Sequence, residues 1–399
     1  MLKHKTVLLG ITGSIAAYKI ANLANMLRKL HCNVHVLMTQ NATQFINPIT
    51  LETLTEHKCL IDTFDRNFQY NVEHVALAKQ ADLVMIAPAS ANVIGKIANG
   101  IADDMLTTTV MACPCKKIIA PAMNHNMYHN PIVQNNLAKL QKFAPEYEVI
   151  QPAHGMLANG DTGDGRMPDE AILLEYILKE IAFEKDLAGE KILITAGATR
   201  ESIDAVRFIT NHSTGKMGFA LAKAAMHRSA DVTVIAGHTE IQPPPFINYI
   251  PVMSAQDMFN AVTEISDQFG IIIKAAAVAD YTPETSVDYK IKKSGDDLAI
   301  RLKRTPDILQ YLGEHKLESQ ILCGFSMETE NLLDNSRKKL QSKHCDMICA
   351  NSLKTAGAGF GTDTNIITII TKDSAIELEK MSKESAAHRI LDEILKMKT

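Results

Sequence analysis

The side chains able to do chemistry cluster in a few stretches of this 399-residue chain. PASANVIGKIANGIADDM (88–105) follows an apolar run and brings Ser90 and Asn92 next to glycines at 95 and 100. Small hydroxyl and amide side chains there let a backbone approach a flat ring or a phosphate closely. PAMNHNMY (121–128) follows a second short apolar run and adds the amide of Asn124. His74, in VEHVALAKQADLV, is a candidate proton carrier, although a histidine standing alone is usually a satisfied surface residue. The second half offers RFITNHSTGKMGFALA (207–222), AAAVADY (275–281), KIKK (290–293) and GFSMETEN (324–331). A lysine cluster facing strand ends suits a triphosphate, and Asp280 suits Mg2+. Without that company KIKK reads as a solvated basic run.

Standard signatures fit less well. The dinucleotide fingerprint needs G-x-G-x-x-G, whereas the first loop offers only Gly10 and Gly13, and Thr39-Gln40 at the next strand end carries no acid for a ribose. Ser213-Thr214-Gly215-Lys216 hints at a P-loop but has Thr210 in place of its first glycine and Met217 after the lysine. Cys113-Pro-Cys115 lacks a second cysteine pair, and His125 and His129 lack the glutamate of a zinc-protease helix. They read as buried thiols and surface imidazoles, so no metal is expected at either place.

These stretches need elements to hold them, and the chain begins twice in the same way. KTVLLGITGS (5–14) and KILITAGATR (191–200) each join an apolar run to a Gly/Thr loop and a helical pattern. Second strands follow in NVHVLM and DVTVIA, then DLVMIA, KIIAPA and EVIQP in the first half and GIIIKA, DMICA and NIITIIT in the second. Continuous apolar strands alternating with helices predict parallel sheets covered on both faces, hence two doubly wound α/β domains. The charged segment FEKDLAGE (183–190) is the expected boundary, with domains over 1–185 and 190–399. Ligands of such sheets bind beyond the carboxyl ends of the strands, which makes Gly10–Ser14 and Gly197–Arg200 candidate anion sites.

Composition bounds the rest. A formal charge of -4 and the absence of Trp, with 5% aromatics, argue against a nucleic-acid partner. No apolar stretch reaches membrane-spanning length, and MLKHKTVLLGITGS reads as a first strand and its loop. Seven scattered cysteines suggest reduced thiols in a cytoplasm.

Residues 1–185, through His74, PASAN and PAMNHNM, closely resemble the flavin-dependent cysteine decarboxylases. The resemblance implies a flavodoxin-like FMN domain in which Gly13, Ser14, Thr39, Ser90 and Asn92 lie near FMN. In it His74 acts in catalysis and Asn124 holds the substrate carboxylate. The second-half stretches closely resemble phosphopantothenate–cysteine ligases, which in bacteria commonly follow the decarboxylase in one chain serving coenzyme A biosynthesis. That likeness implies CTP with Mg2+ and formation of an acyl-cytidylate of 4'-phosphopantothenate, which the amine of L-cysteine then attacks. It also implies Lys290 in acyl-cytidylate formation, Asn211 on the intermediate, and Asp280, Phe325, Lys339 and Lys343 on the nucleotide. A homo-oligomer of trimeric flavin domains and dimeric ligase domains is implied as well.

LANGDTGDGRMPDE (157–170) is too polar for a core and too rich in glycine for a stable helix, so it reads as a long mobile loop. By resemblance it is the substrate flap. The decarboxylases normally read Ala-Cys-Gly there, and the Cys donates a proton; this chain has Asn159, which has no titratable proton. A decarboxylase of peptide cysteines suits Asn159 but leaves the second half without a role. A non-catalytic flavin-binding regulatory protein is disfavoured by His74 and Asn124.

Overall fold

The structure, a computed structural model, describes residues 1–64, 73–156, 158, 160–292, 298–328, 330–352 and 361–398. The chain divides into two compact units, Met1–Glu184 and Lys185–Thr399.

In the first unit five strands form one parallel sheet: β1 (Thr6–Ile11), β2 (Asn33–Met38), β3 (Leu83–Ala89), β4 (Lys116–Pro121) and β5 (Tyr147–Val149), in the order β2-β1-β3-β4-β5. Successive side chains of a strand point to opposite faces, so both faces must be covered. Val7, Leu9 and Ile11 pack with α1 (Ile20–Lys29) and α8 (Glu170–Ile181). Leu8, Val84 and Ile86 belong to the opposite layer with α4 (Ala91–Ala98), α5 (Met105–Ala112) and α7 (Pro131–Gln141). The shorter helices α2 (Pro48–Thr55), α3 (Glu73–Gln80) and α6 (His125–Tyr128) complete the unit. The expected mobile loop is instead a β-hairpin, β6 (Ala153–Met156) paired with β7 (Thr162–Arg166). Its glycines serve close packing. A Cβ on Gly163 would lie 2.6 Å from Nδ1 of His125, and Gly165 (φ 121°) presses against the carbonyl of Met123.

The second unit has an eight-stranded sheet in the order β12-β11-β8-β13-β16-β17-β19-β20. Its strands are β8 (Lys191–Ala196), β11 (Asp231–Ala236), β12 (Asn248–Pro251), β13 (Ile271–Lys274), β16 (Ile321–Glu328), β17 (Met347–Ser352), β19 (Ile367–Thr371) and β20 (Ala375–Glu377). It is parallel up to β17, but β19 and β20 run antiparallel, which corrects the expectation of a wholly parallel sheet. A pattern of buried residues shows that a strand is covered on both faces; it carries no information on direction. α9 (Lys216–His227) and α13 (Lys383–Lys396) cover one face over Ile192, Ile194 and Ile273. The other face, around Leu193, Ile272 and Leu322, packs with α10 (Ala255–Ile265), α11 (Ile308–His315) and α12 (Leu332–Ser342). Small antiparallel pairs sit outside the sheet: β9 (Arg200–Ser202) with β10 (Phe208–Thr210), β14 (Tyr281–Pro283) with β15 (Leu302–Arg304), and β18 (Thr364–Asn365) with β21 (Met381–Ser382). The loop after β8 therefore enters a hairpin and not the helix expected there; α9 starts only at Lys216. No helix among the described residues is long and apolar enough to cross a membrane.

One contact in this unit ties helix packing to a candidate site. A Cβ on Gly313 of α11 would overlap the carbonyl of Lys343, the residue that ends α12. Gly313→Ala should destabilise the second unit by about 1–3 kcal/mol, because a backbone carbonyl cannot swing aside as a side chain can. Calorimetry should show its unfolding midpoint lowered, and a midpoint equal to the parent's would contradict this packing argument.

Candidate functional sites at the strand ends

The first unit's strand order is the flavodoxin-like 2-1-3-4-5, whose crevice opens at the switch between β1 and β3. Thr12, fully buried just past β1, stitches this crevice together. Its Oγ1 donates to the carbonyl of Pro88 at 2.6 Å and accepts from the N–H of Ser90 at 2.8 Å. Ser90 then caps α4, accepting from the N–H of Val93. Gly13 has no room for a side chain, since a Cβ there would meet Cβ of Asn41 at 2.8 Å. Thr39, at the end of β2, accepts from the N–H of Ala42. Asp104 opens α5 with a reciprocal cap to Thr107. Burial pushes its carboxyl up, but bonds from Thr107 and the ammonium of Lys96 outweigh this and hold it below the usual range.

Beside this crevice lies a cavity of about 510 Å3. Ser14 and Asn124 line it together with Ala158 and Arg166 from the hairpin segment, while Ile15, Met123, Met156 and Met167 give it apolar walls. Asn124 caps α6, and its Oδ1 accepts from the N–H of Asn126 at 2.9 Å. That bond sets the orientation of the amide, so its NH2 group is the part left to meet an anion. Asp169 joins two cavity residues, pairing with Lys19 at 3.3 Å and Arg166 at 3.1 Å.

The hairpin is fastened to the base of the cavity. The N–H of Gly165's neighbour Asp164 donates to Nδ1 of His125, and the N–H of Met123 donates to the Gly165 carbonyl. The Asp164 carboxylate lies 3.1 Å from Nε2 of His129 and 3.0 Å from Nδ1 of His154; these two partners hold its carboxyl below the usual range. His125 and His129 are therefore more than surface imidazoles, because folding brings Asp164 to them. Ligand atoms of the three lie within 4.8 Å of one another, and the hydrogen bonds account for that arrangement.

In this way the structure brings Ser14 and Asn124 together and places Gly13, Thr39 and Ser90 at the ends of neighbouring strands. Asn92 is exposed on the first turn of α4, and His74 is half-buried on α3; neither lines the cavity. Asn159 lies outside the described residues.

In the second unit two cavities share one edge. The smaller, about 250 Å3, lies among Asn211, the α9 N-terminus at Gly215-Lys216, and Phe325. Asn211 Nδ2 donates to the Ala277 carbonyl at 3.0 Å. The other cavity, about 520 Å3, is lined by Arg304, Asp307, Lys339 and Lys343 among others. Lys343 pairs with Asp307 at 2.7 Å, and the Lys339 ammonium donates to the Phe325 carbonyl at 3.0 Å. Lys274, Val278, Asp280 and Lys339 line both cavities. Lys290 is exposed and lines neither. Its neighbour Ile291 is anchored, donating to the buried Asp204 carboxylate and accepting from Arg207. Lys293 lies outside the described residues.

Sequence reasoning missed Asp307 and Lys274, and it singled out the stretches holding Thr12 and Arg166 without giving either residue a part of its own. The one available signal was Lys274 closing the apolar run of GIIIKA, since a charge at the end of a buried strand needs a reason to be there.

Strand order, capped loops and paired cavities define the class, that of two-domain flavoproteins of pantothenate metabolism. The Flavoprotein family model matches residues 1–182, and that of the DNA/pantothenate metabolism flavoprotein C-terminal domain matches 187–397. The Coenzyme A biosynthesis bifunctional protein CoaBC of Bacillus subtilis is 47% identical over 99% of this chain and 97% of its own length. Its counterpart in Borreliella burgdorferi is 43% identical over 98% of this chain and 99% of its own, and that of Escherichia coli 38% over 99% and 97%. The chain belongs to this family of bifunctional coenzyme A biosynthesis enzymes, which join a decarboxylase to a ligase.

The Thr12 bridge leads to a prediction. Thr12→Val keeps the side-chain shape but leaves the Pro88 carbonyl and the Ser90 N–H without this partner. The first unit should lose about 1–3 kcal/mol, the cost of burying unpaired polar groups. Flavin should also dissociate more readily. Unchanged stability and flavin retention after gel filtration would show that the bridge is dispensable.

Proposed function

We propose that the unit over 190–399 joins 4'-phosphopantothenate to L-cysteine using CTP, and that the unit over 1–185 decarboxylates the product with FMN. The observation that carries this reading is the cavity at the β1/β3 crevice. It combines an anion-ready amide with apolar walls beneath a glycine-packed hairpin.

The residues present fit FMN, since the crevice opens at the flavodoxin-like switch point and the cavity walls suit a flat ring. Gly13, Ser14, Thr39, Ser90 and Asn92 would hold it. When bound, FMN supplies two-electron oxidation of the cysteinyl thiol, giving a thioaldehyde into which the electrons released with CO2 can flow. The Asn124 NH2 group orients the departing carboxylate, and His74 handles the proton. His74 and Asn92 do not line the single-chain cavity, and in the trimer we propose they complete a site together with a neighbouring copy. The hairpin excludes water once substrate is seated. To become 4'-phosphopantetheine, the ene-thiol left after CO2 loss would need both the two electrons held by the reduced flavin and a proton at carbon, and Asn159 cannot supply that proton.

In the second unit Asp280 is the acid common to both cavities and an oxygen donor of the kind Mg2+ takes. Phe325, Lys339 and Lys343 surround the nucleotide, and Asn211 meets the acyl-cytidylate. Lys290 closes on the phosphates from its anchored loop. A dimer of this unit and a homo-oligomer of whole chains complete the proposal.

Two outcomes are expected. Lys290→Gln should abolish pyrophosphate release from CTP and 4'-phosphopantothenate while leaving FMN content unchanged; release at the parent rate would remove Lys290 from the site. With 4'-phosphopantothenoylcysteine as substrate, mass spectrometry should find the ene-thiol accumulating. Asn159→Cys should restore 4'-phosphopantetheine, because a positioned acid contributes on the order of 10²–10⁴-fold to such a step. Complete turnover by the parent, with no gain from the variant, would point to another acid.

A further inference from the structure

Lys274 ends β13, a strand whose other residues, Ile271, Ile272 and Ile273, are buried on both faces. It pairs in register with Thr195 of β8 and Gly324 of β16, and so sits at the carboxyl edge in the middle of the sheet. Lys274 itself is half-buried, and its ammonium donates to the carbonyl of Ala276 at 3.2 Å. An ammonium has three protons to donate, and burying it is unfavourable without an opposite charge close by. The charged groups around it are Lys339, Asp307 and Asp280. Asp307 is already paired to Lys343 and accepts from the N–H of Gln310, and Lys339 adds like charge. Burial first, then Lys339, lowers the pKa of Lys274 to about 8, with Asp307 and Asp280 opposing. The site thus keeps a cation at a cost, with no dedicated carboxylate bonded to it among the described residues.

Its position suggests what offsets that cost. The two cavities measure about 250 and 520 Å3, and Lys274 belongs to the linings of both. Groups common to both linings mark where the two substrates must touch. Resting on the ligase reading above, we propose that Lys274 is a further catalytic residue, a cation at the junction that contacts the α-phosphoryl group as the substrate carboxylate attacks it. In that step a carboxylate oxygen forms a bond to the α-phosphorus. The bond from that phosphorus to the bridging oxygen breaks, and its electron pair leaves with pyrophosphate. No proton moves and nothing is oxidised or reduced. Two anions are forced together, and a fixed ammonium on the shared edge of the cavities stabilises the charge on the equatorial oxygens. Lys339 and Asp280 reach the same edge, but Asp280 is negative and Lys339 comes from α12, whereas Lys274 stands on the central strand β13. Lys274 is therefore the cation that the fold itself holds at the meeting point.

The test uses the full chain with FMN bound and compares Lys274→Met with Lys274→Arg. Methionine keeps the length and removes the charge, so the fold should persist; far-UV circular dichroism and FMN content check this. Pyrophosphate release from CTP with 4'-phosphopantothenate should fall on the order of 10²-fold in Lys274→Met, mainly in kcat, a loss typical of removing one fixed charge-stabilising group. Lys274→Arg should keep most of the rate. In the parent, kcat/KM for CTP should decline as pH rises through about 8, where Lys274 loses its proton. Arginine should shift that limb to higher pH. A Lys274→Met enzyme releasing pyrophosphate at the parent rate would overturn the proposal, and so would an arginine variant as impaired as the methionine one. If the parent itself releases no pyrophosphate from these substrates, the ligase reading has failed and takes this inference with it. Should Lys274→Met fail to fold, the arginine variant's rate and pH limb decide the question alone.

Discussion

Buried threonine hydroxyls hold the functional ends of both sheets in place. In the first unit Thr12 joins the loop after β1 to the loop after β3, donating to one backbone group and accepting from another. In the second unit Thr199 and Thr195, both fully buried, accept from the N–H groups of Ala279 and Ala276, and so join the β8 side to the loop after β13. The physical need is the same in each. Where parallel strands end, backbone groups lose their sheet partners, and a dry site cannot supply water in their place. A hydroxyl that both donates and accepts satisfies them without adding bulk. Loops pinned in this way can leave Ser14, Ser90, Lys274 and Asp280 at fixed positions.

The hairpin over the first cavity shows how close packing can replace stiffness. Gly163 and Gly165 let β7 lie against Met123 and His125, nearer than any side chain would permit. Asp164, bonded to imidazoles on both the base and the hairpin, adds a polar clasp at the exposed rim. Those contacts also set the position of Asn124, which begins at the same turn. The substrate end of the cavity and its cover are thus built from one set of interactions, so a change in either affects both.

In the second unit the proposed reactive region is the edge that two cavities share. Two concave spaces with a common edge are a direct way to make two anionic reactants meet, and the charges there are unevenly compensated. Lys343 and Asp307 neutralise one another; Lys274 and Lys339 do not have that arrangement. A surplus of positive charge on a partly enclosed edge is unfavourable by itself and is offset by a phosphate bound beside it.

Much of this was legible in the chain itself. Apolar runs such as KTVLLG and KILITA, broken by Gly and Thr, determine strands buried on both faces and loops beyond their ends, because only a sheet covered on both faces suits such runs. PAMNHNM marks the cavity wall and PASAN the start of α4 for the same local reason, since small polar residues after a strand cap helices. Tertiary structure alone decided the rest. Strand direction was invisible, so β19 turned out antiparallel although NIITIIT looks like its neighbours. The glycines of 157–170 look the same in sequence whether they give mobility or permit contact; only the nearness of His125 and Met123 shows that Gly163 and Gly165 permit contact. Lys290 looked like the leading cation because it heads a run of lysines, whereas Lys274 stands alone in an apolar segment. Its charged surroundings include Asp307 and Lys339, far from it in sequence, and proximity of that kind is produced by the fold.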